Sequence, residues 1–220
     1  MTWIKREAPS LFLIAAMFGL SLWAWPHLPA RMPMHWNVYG QVDRYGGRVE
    51  GLLFVPLFTV GVYTLLSLLK WIEPRREHVL AMSRVLAVIR RALVGLMFLL
   101  HGALLGNALG WRVNVLQVMG LGVGALFVVL GNYLPKVPSN FFVGVRTPWT
   151  LSSEKSWRQT QRVAGHGLVV IGLLEMVLSA LWPRWGLLAL LGLLLPGVLA
   201  VCVYSYRVWK SDPDRIVPGA

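Results

Sequence analysis

The stretch ALVGLMFLLHGALLGNALGW occupies residues 92–111 and contains no Asp, Glu, Lys or Arg. A three-residue connector separates it from VLQVMGLGVGALFVVLGNYL at residues 115–134, which is equally free of charged side chains. An α-helix needs about 20 such residues to cross the hydrocarbon core of a bilayer. The two stretches therefore predict a pair of membrane-spanning helices, held antiparallel and side by side by the short connector.

The rest of the chain repeats this pattern. Four more apolar windows fall at residues 8–26, 51–72, 163–182 and 187–206, and 56% of the 220 residues are hydrophobic against 14% charged. Soluble domains carry about 25% charged residues. We therefore predict an all-α polytopic integral membrane protein with six transmembrane helices in a single membrane domain, residues 1–220.

Positive charge is distributed unevenly between the connecting segments. Sixteen of the 21 lysines and arginines lie in the N-terminus, the second and fourth connectors and the C-terminus. Lys and Arg are enriched in cytoplasmic loops, so both termini are predicted to be cytoplasmic (N-in/C-in). The net charge of +12 is interpreted as topogenic charge that faces the lipid bilayer, and no direct contact with nucleic acid is expected. The N-terminal run is interpreted as an uncleaved first helix, because bulky residues fill the zone where a signal peptidase needs small ones.

Enzyme chemistry has little support in the sequence. Cys202 is the only cysteine, which excludes an intrachain disulfide and disfavours a structural zinc site. The chain has no nucleophile elbow, no His-Glu-x-x-His helix and no phosphate-binding glycine loop. We therefore predict no enzyme, with no catalytic residue, cofactor or metal.

Two features concern the packing of the spans. The second connector, residues 73–91, is expected to be helical, either lying on the membrane surface through Val79, Leu80, Val85, Leu86 and Ile89 or extending span three into water. Glycines recur every four residues in span three (Gly102, Gly106, Gly110) and in span four (Gly120, Gly124). Small residues at this spacing let helix backbones approach closely, so spans three and four are predicted to pack tightly.

Two ionisable residues, His101 and Glu175, fall inside apolar spans, and Asn107 and Gln117 are further polar candidates there. Polar groups within a bilayer are costly and usually face the bundle interior. One interpretation is a proton or ligand site. The other is a neutral Glu175 that forms a hydrogen bond with His101 or Asn107 and serves only packing.

The first loop, residues 27–50, is rich in proline and glycine, which predicts a structured turn. Its polar candidates are His35, Asn37, Gly40 and Asp43. His35 and Asp43, with His27 as a third ligand, would suit a cation, although the spacing matches no standard metal motif. In the alternative, Asp43 caps a turn and His35 bonds the backbone.

The long loop between spans four and five, residues 135–162, has the composition of an ordered segment. Its apolar and aromatic residues argue against disorder, and a loop of this length is usually functional. We predict that Asn140, Arg146 and Trp149 form one unit docked on the ends of spans four and five. Glu154 is expected in the first turn of the next helix, and a helix start beside Arg146 and Arg158 would suit an anionic lipid headgroup.

These two loops resemble a known family. The second one reads Gly131-Asn132, Pro135-Lys136, Asn140-Phe-Phe-Val-Gly144-Val-Arg146-Thr147-Pro148-Trp149-Thr150-Leu-Ser-Ser-Glu154 and Trp157-Arg158, which closely resembles the signature of the SdpI (Sdp immunity protein) family. The first one reads Pro33-Met-His35-Trp-Asn37-Val-Tyr-Gly40-Gln-Val-Asp43, which resembles the domain of unknown function that precedes the signature in family members. The SdpI-like region is taken as residues 115–206. One departure is Thr160-Gln161, where the family usually has Thr-His, so no role of that histidine transfers here.

The resemblance implies a multi-pass protein of the bacterial inner membrane with an immunity or signalling function. Its expected partners are the bilayer, a secreted peptide toxin and a cytoplasmic repressor. The motif residues expected to bind a ligand or partner are Asn132, Asn140, Gly144, Arg146, Thr147, Trp149, Glu154, Trp157 and Arg158. The alternative function is a small proton-coupled transporter or exporter that uses His101 and Glu175.

A weaker pattern relates the two halves of the chain. Leu28-Pro29 and Asn37 to Gly40 follow span one, while Leu134-Pro135 and Asn140 to Gly144 follow span four. Each half holds three predicted spans, and an odd number of spans per repeat inverts the second copy. The alternative is coincidence, because Leu-Pro and Asn-Gly are common at loop starts.

Overall fold

The computed structural model describes residues 3–72 and 79–216 and has six helices long and apolar enough to cross a membrane. These six spans confirm the all-α transmembrane prediction. The long helices are α1 (Trp3–Ala24), α2 (Arg48–Ile72), α3 (Val79–Ala108), α4 (Val115–Tyr133), α6 (Glu154–Leu181) and α7 (Pro183–Lys210). A short helix, α5 (Pro148–Leu151), lies in the long loop, and 3₁₀ turns at Trp25–His27 and Leu134–Lys136 follow α1 and α4.

The spans form two groups of three in chain order. In the first group α3 packs against both α1 and α2, and in the second α6 packs against both α4 and α7. Contact between α3 and α4 joins the groups. We call the end of the bundle that carries residues 25–47, 109–114 and 182 the hairpin end. The opposite end, with residues 134–153 and 211–216, is the motif end.

The first loop contains a β-hairpin, which is the main addition to the predicted helical fold. Strand β1 (Arg31–Trp36) pairs antiparallel with β2 (Val42–Gly47). The turn between them needs Gly40 at φ +78°, a conformation that side chains disfavour. The hairpin is anchored because Met32 is fully buried in one apolar cluster with residues of α1, α2 and α3. The two strands were not predicted from sequence, because Pro33 and the glycines interrupt the alternation of polar and apolar residues that indicates a strand.

The second connector extends span three. Helix α3 runs without a break from Val79, and its first turns bury Met82, Val85 and Leu86 against the protein. The interpretation as a membrane-surface helix is therefore wrong for Val85 and Leu86, whose side chains are buried against the protein. The predictions for residues 73–78 and for the side chains of Val79 and Leu80 lie outside the described residues.

Spans three and four do pack against each other, and Gly122 of α4 lies against Leu96 of α3, but the predicted glycines do not form this contact. A Cβ added at Gly102 would meet nothing within 4 Å, and one at Gly106 would meet Trp111 and Val113 of the following turn. The close approach is instead between α4 and α6. A Cβ at Gly124 would lie 2.6 Å from the carbonyl oxygen of Gly172, and Gly131 faces Gly165 in the same way. Spacing identified a helix that can be approached closely but could not identify its partner.

Candidate functional site

The long loop at the motif end is organised around the side chain of Asn140. This side chain is fully buried, and its Oδ1 accepts hydrogen bonds from the backbone N–H groups of Phe142 and Val143 at 2.8 and 2.7 Å. Its Nδ2 donates to the carbonyl oxygens of Pro138 and Val143. One amide thus satisfies four backbone groups of the loop, which fixes the path of residues 138–143.

Gly144 and Gln161 fix the next part of the loop. Gly144 has φ +118°, and a Cβ there would lie 2.8 Å from Oε1 of Gln161. The fully buried Gln161 accepts from the N–H of Val145 and donates to its carbonyl oxygen, both at 2.9 Å. The position where the family usually has histidine therefore holds an amide that pairs with the loop backbone. The sequence analysis assigned no role to Gln161. Its position, a polar residue in the first turns of a span, was the signal that could have identified it.

Trp157 ties the loop to the helices beneath it. Its side chain is 1% exposed, and Nε1 donates to the carbonyl oxygen of Val137 at 2.9 Å. Val137 and Trp157 form an apolar cluster with Val85 of α3. The first half of the molecule, helices α1 to α3, therefore contacts this long loop through α3. We call residues 135–162 the motif loop.

The second part of the motif docks on α7. Thr147 caps the N-terminus of α5 in a reciprocal capping box with Thr150. Oγ1 of Thr147 also lies 3.2 Å from Oγ of Ser205, and Trp149 packs edge-on against Tyr206 with ring centroids 5.3 Å apart. The loop thus docks on α6 and α7 more than on α4, which differs from the docking expected from sequence.

The motif residues separate into two groups by exposure. Asn140, Thr147 and Trp157 are buried, and their contacts hold the loop together. Arg146 braces the loop through a hydrogen bond from Nη1 to the carbonyl oxygen of Phe141, yet its side chain is exposed. The other exposed charged or polar members are Asn132, Glu154 and Arg158. The exposed group therefore offers the surface available to a partner.

The C-terminal segment closes over the start of α6, a contact that sequence reasoning missed. Oδ2 of Asp212 accepts a hydrogen bond from Oγ of Ser153 at 2.5 Å, and the N–H of Ile216 donates to the carbonyl oxygen of Ser152. The Ser153 hydrogen bond lowers the pKa of the Asp212 carboxyl below its usual value, and Lys155 acts in the same direction. An acidic residue two positions beyond a span carries no sequence signal that it folds back.

At the hairpin end, Asn37 has a role like that of Asn140. Its Oδ1 accepts from the N–H groups of Tyr39 and Gln41, which closes the turn between the strands. His35 and Asp43 form an exposed pair, with Nδ1 2.6 Å from Oδ1. His27 does not join them, because its Nδ1 lies 3.2 Å from the carbonyl oxygen of Trp23. In the described part of the chain, no three His, Cys, Asp or Glu side chains are grouped as metal ligands would be.

A cleft of about 660 Å³ opens at the hairpin end between the two halves of the molecule. The hairpin supplies one wall with Trp36 and Tyr39, and the turn from α6 into α7 supplies the other with Trp182, Arg184 and Trp185. The floor is formed by Asn107, Val113, Asn114, Val115 and Leu116. Asn107 therefore reaches a surface cavity, whereas the side chains of His101 and Glu175 are buried.

His101 and Glu175 are buried separately in the two halves. Nε2 of His101 lies 3.0 Å from Oγ of Ser21, which donates to the carbonyl oxygen of Leu52, so this group joins α1, α2 and α3. Oε1 of Glu175 accepts from Oγ of Ser179 at 2.7 Å, and Gly120 and Gly186 make room for it. The predicted pairing of Glu175 with His101 or Asn107 is wrong, because Oε1 bonds a serine on its own helix and Oε2 is buried with no hydrogen-bond partner among the described residues.

A buried ion pair in the first half was also missed. Oε1 of Glu7 lies 2.5 Å from Nη2 of Arg90, and both side chains are at most 5% exposed. Oε2 of Glu7 accepts from the hydroxyl of Tyr63 at 3.3 Å, which joins α1, α2 and α3. Both residues lie outside the predicted apolar windows, and only the fold shows that helices α1 and α3 are long enough to bring them together.

The helices, the two loops and their contacts define the class of this molecule: a multi-pass integral membrane protein with ordered segments at both ends of the bundle. Two family models match the chain, "Domain of unknown function (DUF1648)" over residues 12–60 and "SdpI/YfhL protein family" over residues 136–205. The curated protein "Immunity protein SdpI" of Bacillus subtilis (strain 168) is 26% identical over 210 residues, which is 94% of this chain and 98% of that protein. No solved structure matches the chain.

These matches confirm the predicted resemblance to the SdpI family, with a DUF1648 region in front. The chain is a multi-pass protein of the bacterial inner membrane. Each matched region includes an ordered loop, since the first contains the hairpin and the second runs from residue 136 of the long loop through α6 into α7.

Proposed function

We propose that this protein is an immunity and signalling module that binds a membrane-active peptide or a lipid and relays the bound state to a cytoplasmic regulator, without chemistry of its own. The match to an immunity protein over nearly the full length of both chains carries the proposal. In the predicted N-in/C-in orientation the hairpin end meets a secreted peptide and the motif end meets the regulator.

The geometry of the motif end suits a docking role. Buried amides and hydroxyls hold the loop in one conformation, so its exposed side chains are presented without an ordering cost at binding. Nη1 of Arg146 donates to the carbonyl oxygen of Phe141, and the guanidinium retains further donors for a carboxylate or a phosphate. Glu154 and Arg158 line a surface depression that the C-terminal segment borders.

The transporter alternative is less well supported. It requires His101 and Glu175 to act in one pathway, yet each belongs to a different half and each contacts its own serine. In the binding module Glu175 serves packing, and Glu175→Gln keeps a group of the same shape that can still accept from Ser179. This substitution should leave protection intact, whereas a proton-coupled transporter should fail.

The proposal is tested by protection of a sensitive bacterium against a membrane-active peptide. Cells that express the chain should tolerate a higher peptide dose than cells with an empty vector. Arg146→Ala should abolish this gain, and Arg146→Lys should lose most of it, because lysine keeps the charge but not the planar fork.

Membrane abundance of each variant is the control, so that a folding defect is not mistaken for lost binding. Full protection by Arg146→Lys would mean that only charge matters. Full protection by Arg146→Ala as well would remove the motif residue from the function, and no protection by the parent chain would contradict the immunity proposal itself.

A further inference from the structure

The segments that leave α1 and α4 share one design. Each begins with a 3₁₀ turn that has proline in its middle, Trp25–His27 after α1 and Leu134–Lys136 after α4. Six residues then match in character: Trp25-Pro-His-Leu-Pro-Ala30 and Leu134-Pro-Lys-Val-Pro-Ser139 both read hydrophobic, proline, basic, aliphatic, proline, small. This register pairs Pro26 with Pro135, which corrects the pairing of Leu28-Pro29 with Leu134-Pro135 made from sequence.

The aligned residues also make the same contacts. Leu28 and Val137, the fourth residues of the two segments, are 3% and 4% exposed. The carbonyl oxygen of Leu28 accepts from Nη2 of Arg48 at 2.5 Å, and that of Val137 accepts from Nε1 of Trp157 at 2.9 Å. Arg48 is the first residue of α2 and Trp157 lies in the first turn of α6. In both halves, therefore, the carbonyl oxygen of the fourth residue accepts a hydrogen bond from a side chain in the first turn of the next long helix.

A further shared device follows, seven residues after Ala30 in the first segment and directly after Ser139 in the second. An asparagine side chain accepts two backbone N–H groups of its own turn, Asn37 in the hairpin and Asn140 in the motif loop. A glycine with positive φ then ends each turn, Gly40 at +78° and Gly144 at +118°. The Asn-to-Gly distance differs by one residue, so the turns are related in design and differ in detail.

The two segments follow the first and the fourth spans, and an odd number of spans between them places the segments at opposite ends of the bundle. We propose that the hairpin with its cleft is a peptide-recognition site, the counterpart of the motif loop at the opposite end. This inference rests on the proposed function and adds where the peptide binds. The hairpin is therefore a functional loop rather than a connector between spans.

The cleft has the composition that a peptide requires. Its aromatic walls come from both halves, and Tyr39 and Trp185 face it with 67% and 64% of their surface exposed. Its floor contains Asn107, whose Nδ2 donates to the carbonyl oxygen of Val113, and Asn114, whose Oδ1 caps α4, which leaves Oδ1 of Asn107 and Nδ2 of Asn114 for the peptide backbone. A peptide needs apolar walls for its side chains and polar partners for its backbone, whereas an acyl chain needs only the former. Among the described residues that line the cleft, the one charged group is Arg184, which suits a carboxylate of the peptide.

Binding at this site is measured with the full-length protein in phosphatidylcholine nanodiscs. The probe is a synthetic amphipathic leucine–serine peptide with a fluorescent label on its N-terminus and a free C-terminal carboxylate. It has no cationic side chain that would repel Arg184 or bind an anionic lipid directly, and empty nanodiscs give the lipid background. Tyr39→Ala and Trp185→Ala, one from each wall, should each weaken binding by roughly tenfold. Both side chains are exposed, so neither substitution should disturb folding.

Tyr45→Ala is the matched control. Tyr45 lies in the same hairpin with 58% exposure but does not line the cleft, so this variant should bind like the parent. Amidation of the C-terminal carboxylate of the probe should weaken its binding to the parent chain. The same change should leave binding to the Arg184→Gln variant unaltered.

The outcomes separate the two claims. A parent chain that does not bind the probe above the lipid background contradicts the proposed function. Binding that Tyr39→Ala and Trp185→Ala leave unchanged contradicts the cleft assignment alone. Full displacement of the probe by added phosphatidylglycerol would identify the occupant as a lipid headgroup and overturn the peptide assignment.

Discussion

At the residue scale, the residues of the motif loop have different roles according to whether they are buried or exposed. Asn140 and Gln161 each use both ends of an amide to satisfy backbone groups, and neither side chain reaches the surface. A side chain of this kind is hard to replace, because a buried backbone group left without a partner costs about 1–3 kcal/mol. Arg146 is the reverse case, since its outer face is free to make contact with another molecule.

Asp212 gives the motif end a dependence on pH. Its carboxyl has a pKa below the usual 3.8 because the Ser153 hydroxyl donates to the ionised form. A group whose pKa is lowered by folding stabilises the fold above its unfolded pKa, and that contribution is lost as pH falls through the folded value. The C-terminal segment should therefore stay closed at neutral pH and open only below about pH 4.

Hydrogen exchange of the Ile216 amide, corrected for the intrinsic rate, measures this opening. The parent chain should show protection that falls away in acid. Asp212→Asn should be less protected at neutral pH and should lack the acid step, because its side chain does not titrate. An acid step that persists in Asp212→Asn would assign the opening to another group.

At the element scale, the contact between α4 and α6 depends on glycine. Gly124 and Gly172 place two backbones against each other, with no side chain between them. Close approach of this kind is the main means by which helices associate in lipid, where no hydrophobic effect draws them together. The second half of the molecule is consequently built around one tightly packed pair of spans.

Gly124→Ala should separate these helices, because the new methyl group would meet the Gly172 carbonyl oxygen and Met176. Overpacking typically costs about 1–3 kcal/mol, so thermal unfolding in detergent should begin at a lower temperature. Gly102→Ala is the matched control, since it meets open space and should be neutral or slightly stabilising. Equal unfolding temperatures for the two variants would show that α4 and α6 do not rely on this contact.

The difference between local and long-range features explains which parts of the structure could be predicted from sequence. The six spans were confirmed because apolar length is a local property that lipid selects directly. The turn residues Asn140 and Gly144 were found because turn chemistry is also local. The pair of Glu7 and Arg90 spans 83 positions of the chain, and no local pattern records which distant helix a charged residue will meet. The β-hairpin was missed for a related reason, since Met32 is held by burial against three other helices.

At the scale of the whole molecule, the two halves meet chiefly through α3 and α4, and each end of the bundle carries contacts from both halves. At the motif end, Val85 of α3 reaches the cluster that contains Trp157. At the hairpin end, the tip of the hairpin at Gly40 lies against Leu116 of α4. A shift of one half against the other would therefore alter both ends, which is the physical link that a relay needs.

The central claim is that the hairpin end faces outward and the motif end faces the cytoplasm, and cysteine labelling tests it most directly. Cys202 is the sole cysteine, so Cys202→Ser gives a background without reactive thiols. Val38→Cys and Phe141→Cys then place one thiol on an exposed position at each end. With a membrane-impermeant maleimide on intact spheroplasts, Val38→Cys should be labelled, and Phe141→Cys only after the membrane is opened. Labelling of Phe141→Cys in intact spheroplasts, with Val38→Cys protected, would reverse the orientation and contradict the assignment of peptide and regulator to the two ends.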